Sequence, residues 1–320
     1  MFVTYIKGVI RIMILFLFGS TGEIITEKSG HLNLGTPGVM CMGATGAVVG
    51  AGIYIGAIGG AQNANGFLAI VIPLLFCLLF AGLAGLLYSF LVNTLQCNQN
   101  VTGLTITTLG GGIFPFVSNI VKNTGLSLLS ANYYVRLFPK EFCEANWFTQ
   151  IFLSHSYLVY LGIGIAVAAL LILKRTRIGL ALRAVGENPG TADASGVNVS
   201  AYKYIATIIG SMISGMGGLY YVMVMNNGAL EFSIESYGWL AVALVIFALW
   251  NPGIAILGSF VFAVFYQLPM FIFVTGAMSK IIELIPYFIT IIVLVIVSLF
   301  NKRETQPPAG LGVNYFREDR

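Results

Sequence analysis

The sequence predicts an all-α fold, a polytopic bundle of transmembrane helices with room for re-entrant segments. Three observations predict it. Hydrophobic residues make up 58% of the 320-residue chain and charged residues only 9%, where a soluble domain carries roughly 25% charged residues. No Asp, Glu, Lys or Arg occurs from Ser29 to Val121, a run long enough for several passes of about 20 residues each. Glycine is abundant, at 38 residues, and small residues let helices approach closely in a bilayer.

Apolar segments at 8–25, 37–60, 67–93, 103–121, 155–174, 202–225, 237–250, 253–275 and 283–301 give about nine spans, one more or one fewer. Lys7 and Arg11 precede the first, but no small-residue cleavage site follows, so it is read as a span rather than a signal peptide. The second carries Gly46-x3-Gly50, Gly52-x3-Gly56 and Gly56-x3-Gly60, and the sixth carries Ser211-x3-Gly215, Gly217 and Gly218. Both patterns read as close-packing surfaces. The mixed segment 122–154 (Lys122, Arg136, Lys140, Glu141, Glu144, Trp147) reads equally as a small surface cap or a loose loop. Segment 237–250 stops at the turn signal Asn251-Pro252-Gly253, as an arm of a helical hairpin or a re-entrant piece would. Residues 1–301 then form the membrane domain, with a polar loop at 175–201. Residues 302–320 form a polar, Pro/Gly-rich tail expected to be mobile.

Basic residues set the orientation. Lys174, Arg175, Arg177, Arg183 and Lys203 flank one loop, and Lys302, Arg303, Arg317 and Arg320 lie in the tail. The four spans between them are an even number, so both clusters fall on one side, expected to be the cytoplasm. The N-terminus and 122–154 are then expected outside.

Several function classes drop out. Cys41, Cys77, Cys97 and Cys143 form no CxxC pair and read as small hydrophobes. His31 and His155 stand alone, with no HExxH, so no metal and no cofactor is expected. The net charge of +4 is too small and scattered for nucleic acid. An enzyme would need a converging catalytic set, which the sequence does not show.

The most polar long stretch is RAVGENPGTADASGVNVSAYK, residues 183–203. Asn188 is a favoured N-cap, Pro189 suits the first helical position, and Gly196 is a left-handed stop. Asp193 sits near the positive helix end. A helix over 189–195 is far below the roughly 12–15 residues that are marginal alone in water, so it must dock onto something. Ala192, Ala194 and Val197 offer a small apolar surface for that. An ordinary turn packed on its own chain is the alternative.

ENPGTADASGVNV resembles the coupling segment of ATP-binding cassette importer permeases, often written EAA-x3-G, with Gly190-Thr191-Ala192 where Glu-Ala-Ala would stand. RTRIGLALRAVGENP and SMISGMGGLYYVM resemble the branched-chain amino acid, ribose and nucleoside branch. GEIITEKSGHLNLGTPGVMCMGA and CNQNVTGLTITTLGGGI are similar to simple-sugar and nucleoside permeases paired with basic-membrane-protein-type lipoproteins.

The resemblance implies a multi-pass inner-membrane importer subunit for a small polar solute, a nucleoside first and a simple sugar second. It implies coupling through Asn188, Pro189, Thr191, Ala192, Asp193, Ser195 and Gly196. The implied partners are a separate ATPase chain, a second related permease or a second copy, and an extracellular binding lipoprotein. No GxxxxGK[ST] phosphate loop occurs here, so ATP hydrolysis would lie on that separate chain. In the family, breaks such as Glu27–Gly38 and Asn93–Gly103 lie along the central path, which nominates Asn33, Asn98, Gln99 and Asn100. Uncharged amides suit a neutral hydroxylated or heterocyclic solute. Plain surface loops are the alternative for both breaks. Glu231 and Glu235, expected in an outer loop, resemble docking charges for the binding protein, and ordinary solvated charges are the alternative. The rival class is a secondary transporter, which would usually keep an ionisable residue inside the membrane.

Overall fold

The computed structural model describes residues 2–60, 63–123, 134, 138–228, 230, 233–271, 284–285, 288, 291–292, 295 and 306–316. Among them there are helices and no strands. Six helices are long and apolar enough to cross a membrane: α1 (Phe2–Glu27), α2 (Thr36–Ala57), α3 (Gly66–Ser89, continued by a π-helical turn to Thr94), α4 (Gln99–Asn123), α7 (Tyr157–Arg175) and α10 (Val199–Tyr220, continued by a π-helical turn to Met225). Short helices α5 (Lys140–Glu144) and α6 (Trp147–Phe152) cap the end from which α7 starts. Helices α8 (Arg177–Glu187) and α9 (Pro189–Ala194) link α7 to α10 at the other end.

The expected seventh and eighth spans are apolar helices too, α11 (Ile234–Phe247) and α12 (Pro252–Gln267), of 14 and 16 residues. At about 1.5 Å per residue α11 is roughly 21 Å long, and α12 runs on through a 3-10 turn to Met270, next to the last described residue of that stretch. The expected segment 283–301 lies almost wholly outside the described residues.

Helix α1 is central, its Ile12–Phe18 stretch buried among α7, α10, α11 and α12. Glycines set the closest approaches. A Cβ on Gly43 would lie 2.3 Å from the Gly215 carbonyl oxygen, and one on Gly38 would lie 2.2 Å from that of Ile106, so α2 meets α10 and α4 backbone to backbone. Within the second span, Gly46 and Gly50 pack α2 on Phe76 and Pro73 of α3, as the glycine spacing suggested.

The connections 28–35, 95–98, 175–198 and 248–251 gather at one end. Gly186 abuts Lys28, and the Trp250 indole donates to the Glu27 carboxylate. Tail residues 306–316 lie at this end as well, hydrogen-bonded to Gly186 and Gly30. The tail and the polar loop thus share an end. The expected mobility of the tail is corrected for these residues, because backbone and side-chain bonds hold them.

Arg11 donates to the Val224 carbonyl at 2.7 Å, which holds the end of α10 beside α1. Ile234, at the start of α11, is buried.

Candidate functional site

Within the loop 175–201, α9 has the ends that its punctuation predicts, whereas α8, Arg177–Glu187, fills the stretch before it and was not foreseen from the sequence. The Asn188 side chain accepts from the Thr191 amide at 3.0 Å, and Pro189 occupies the first helical position. Helix α9 ends at Ala194, and Gly196 follows with φ +84°. Gly196 N–H donates to Asp193 and Val197 N–H to Ala192. These two bonds form a Schellman motif, which satisfies carbonyls that a helix end otherwise leaves open.

The two faces of α9 differ. Ala192 points inward and packs with Val185, Val199, Val197, Tyr202 and Tyr315. Asp193 is half-buried and accepts from the Tyr315 hydroxyl at 2.9 Å. Asn188, Thr191, Ala194, Ser195 and Gly196 are exposed, and Pro189 is half-exposed. The sequence argument that so short a helix must dock therefore finds its first answer within the chain. Ala192, offered as outward docking surface, is instead the anchor, because the bracing tail stands on its side.

The stretch 28–35 forms a buried polar knot beside α9. The Glu23 carboxylate accepts from the Thr36 hydroxyl and, at 3.3 Å, from the Asn33 amide. Asn33 also accepts from Gly35 N–H at 2.9 Å. His31 meets the Thr207 hydroxyl at 2.9 Å through Nδ1. Burial, reinforced by the charge of Lys203, holds the His31 imidazole well below its ordinary pKa. Trp250 and Leu249 both take left-handed backbone, with φ +53° and +54°, a costly conformation for large side chains. The indole's bond to Glu27 fixes it in place. Sequence reading missed this knot. Its one sequence signal is a pair of carboxylates one turn apart on an otherwise apolar helix.

The nominated path residues divide. Asn33 is engaged in the knot. Gln99 accepts from Leu32 N–H at 2.7 Å and donates to Asn314 at 2.9 Å. Both are buried braces. Asn98 and Asn100 are exposed, and Asn98 caps α4 through the Val101 amide at 3.1 Å.

From there the exposed side of α4 is mixed: Thr105, Thr108, Gly112 and Asn119 alternate with Val101, Leu104, Leu109, Phe116 and Ile120. Thr105 and Thr108 donate to their own helix at 2.8 and 3.0 Å, which leaves their lone pairs free to accept. The exposed face of α3, by contrast, is Phe67, Leu75, Leu79, Leu83, Leu86 and Leu87.

Glu231 lies outside the described residues. Glu235 corrects its expected place. It stands in the first turn of α11, half-buried, with Oε2 3.0 Å from where a Cβ on Gly111 would sit. Gly111 is midway along α4, so Glu235 faces that helix within the bundle and not the solvent at its rim.

Among the described residues no cluster of His, Cys, Asp and Glu could hold a metal. Apolar helices, backbone-close packing and one capped, polar loop define a polytopic helical membrane protein. The chain matches the family model described as "Branched-chain amino acid transport system / permease component" over residues 5–297 and belongs to that family. It is 28% identical to the nucleoside ABC transporter permease protein NupC of Lactococcus lactis, covering 94% of this chain and 93% of that one. It is 27% identical to the guanosine ABC transporter permease protein NupQ of Bacillus subtilis, covering 93% and 92%. With the putative glucose ABC transporter permease protein TsgC13 of Haloferax volcanii it shares 28% identity, covering 80% and 74%. No solved structure matches it. The chain is a permease component of an ATP-binding cassette transport system, a membrane protein and a transport subunit rather than an enzyme.

Proposed function

We propose that this permease imports a nucleoside and that its α9 end faces the cytoplasm and docks an ATPase subunit. The exposed face of α9, formed by Asn188, Thr191, Ala194, Ser195 and Gly196, enters the ATPase surface, with Pro189 at its edge. Ala192 and Asp193 hold the helix from behind. The capped, braced α9 with a small-residue outer face is the observation that carries this reading, since small side chains admit a partner to near-backbone distance. The basic residues flanking the same loop support the orientation, and so does the common end of loop and tail.

The solute path follows the exposed polar residues of α4. Asn98 and Asn100 stand at its inner mouth, and Glu235 looks onto its middle. Asn33 and Gln99 keep the inner loops in place behind it. A second permease subunit, related or identical, closes the other side, and an extracellular binding lipoprotein delivers solute to the outer mouth. The six long and two shorter apolar helices, with the apolar segment 283–301, give about nine passes.

The nucleoside assignment rests on the names of two full-length relatives. The sugar alternative rests on a third. Uptake of tritiated guanosine by cells expressing the permease with its ATPase and lipoprotein tests it. Nucleoside competition that glucose and ribose do not match supports the reading, and the reverse order gives the path to a sugar. Loss of uptake without the ATPase chain separates this importer from a secondary transporter.

A further inference from the structure

We propose that residues 306–316 are a strap that positions α9 and passes its movement to the α1–α2 connection and the start of α4, with Asn314 and Tyr315 as positioning residues. The inference rests on the reading of α9 as the ATPase-docking helix.

The strap touches four separate parts of the chain in order. Ala309 N–H donates to the Glu187 carboxylate at 3.4 Å, and Gly310 N–H to the Gly186 carbonyl at 2.9 Å. Gly312 N–H donates to the Gly30 carbonyl at 3.1 Å. The Asn314 amide donates to the Gln96 and Cys97 carbonyls at 2.9 and 3.2 Å, while its oxygen accepts from Gln99. The Gln96 side chain donates to the Tyr315 carbonyl at 3.3 Å, and the Tyr315 hydroxyl closes on Asp193. The backbones of Lys28, Gly186 and Gly310 stack with no room for side chains. A Cβ on Gly310 would lie 2.8 Å from the Gly186 oxygen, and one on Gly186 would lie 2.3 Å from the Lys28 oxygen.

Ordering a Pro/Gly-rich tail costs backbone entropy at every residue. A tail that merely ended the chain would have no reason to spread its bonds over four segments. The pattern of the bonds shows what they join. Helix α9 leads along the chain only to α8 and α10. A cavity of about 410 Å³ opens among α9, Asn93 and Gln96, with Tyr315 in its wall. The bond series Asp193–Tyr315, Tyr315–Gln96, Gln96–Asn314, Asn314–Gln99 and Gln99–Leu32 runs past that cavity. It joins α9 to the first residue of α4, the helix that carries the exposed polar residues, and to the connection between α1 and α2. Gln96 itself is held in left-handed backbone at φ +55°, a strained position that its two side-chain bonds, to Asn93 and Tyr315, secure.

The test uses the complete transporter in proteoliposomes, read as solute moved per ATP hydrolysed, together with thermal stability. Three variants are compared with wild type: Tyr315→Phe, Asn314→Ala and a chain ending after Thr305. Tyr315→Phe keeps the ring in its apolar cluster and removes only the bond to Asp193. Losing a hydrogen bond to a charged group shifts the docked strap by about tenfold, so solute per ATP falls by up to about tenfold in Tyr315→Phe and in Asn314→Ala, and further in the truncation, which removes every bond of the strap. A merely structural tail lowers stability and both rates together and leaves the ratio unchanged, and that result overturns the strap alone. Failure of the wild-type permease to hold its ATPase overturns the reading of α9 and the strap with it.

Discussion

Two six-residue helices stand at opposite ends of this permease and make a controlled comparison. Helix α6 turns Trp147, Phe148 and Phe152 outward, at 67, 54 and 49% exposure. Helix α9 turns out Thr191, Ala194 and Ser195. Each follows an extended Asn, Asn146 or Asn188. Amphipathic rings settle at the membrane–water boundary. A face of small side chains gains nothing there and is suited to another protein's surface. The faces teach what the lengths do not: on the proposed reading α6 meets the boundary of the bilayer and α9 meets the ATPase.

The strongest way to break this contrast is to exchange the faces. Thr191→Trp should reduce uptake by about tenfold or more, because overpacking a close contact is worth 1–3 kcal/mol, while the permease still inserts. Trp147→Ala should leave uptake within about twofold, since one ring of a boundary belt is shared among neighbours. Equal effects of the two variants, measured as initial uptake rates at matched expression, break the contrast.

The stop of α9 sharpens it further. Gly196→Ala places a Cβ on left-handed backbone at a cost of about 1–2 kcal/mol. Uptake should fall severalfold, read on the same assay. Asn188→Ala removes the cap and should cost about 1 kcal/mol, with Asn188→Ser restoring most of the rate. A cap and stop that change nothing would mean that the helix itself is not the working part.

The smallest effect concerns the knot behind α9. His31 has its folded pKa lowered by burial. The unfolded chain takes up a proton near pH 6.5 that the folded chain refuses. Stability is therefore fully present above about pH 6.5 and declines as the pH falls from there toward the folded pKa. Melting temperature against pH should show this decline in wild type and a flatter profile in His31→Gln, relative to each protein's value at pH 8.

How much of this was legible in the sequence depends on the range of the interactions. The cap, proline and stop of α9 were readable because all three act within one helix and its flanks. Of the glycine pairs in the second span, Gly46 and Gly50 were readable from their spacing, whereas Gly56 is exposed and a Cβ on Gly60 would meet nothing. The strap was not, because Tyr315 reaches Asp193 across 122 residues and Asn314 reaches Gln96 across 218. A Pro/Gly-rich composition looks mobile until those partners are known. Glu235 was assigned to an outer loop because the apolar run was read as starting at 237, whereas α11 begins at Ile234. Glu23 and Glu27 find Thr36, Asn33 and Trp250 only in the fold. Asn33 and Gln99 were nominated as path residues, and only their hydrogen-bond partners show them as buried braces.

One measurement bears most directly on the account. With Cys97 replaced by Ser, so that the remaining native thiols are the buried Cys41, Cys77 and Cys143, Ser195→Cys becomes a reporter on the exposed face of α9. Membrane-impermeant maleimide should label it only in inside-out vesicles, and a short crosslinker should join it to the ATPase chain. Labelling of intact cells from the medium, or no crosslink to the ATPase in an actively transporting complex, would contradict the assignment of α9.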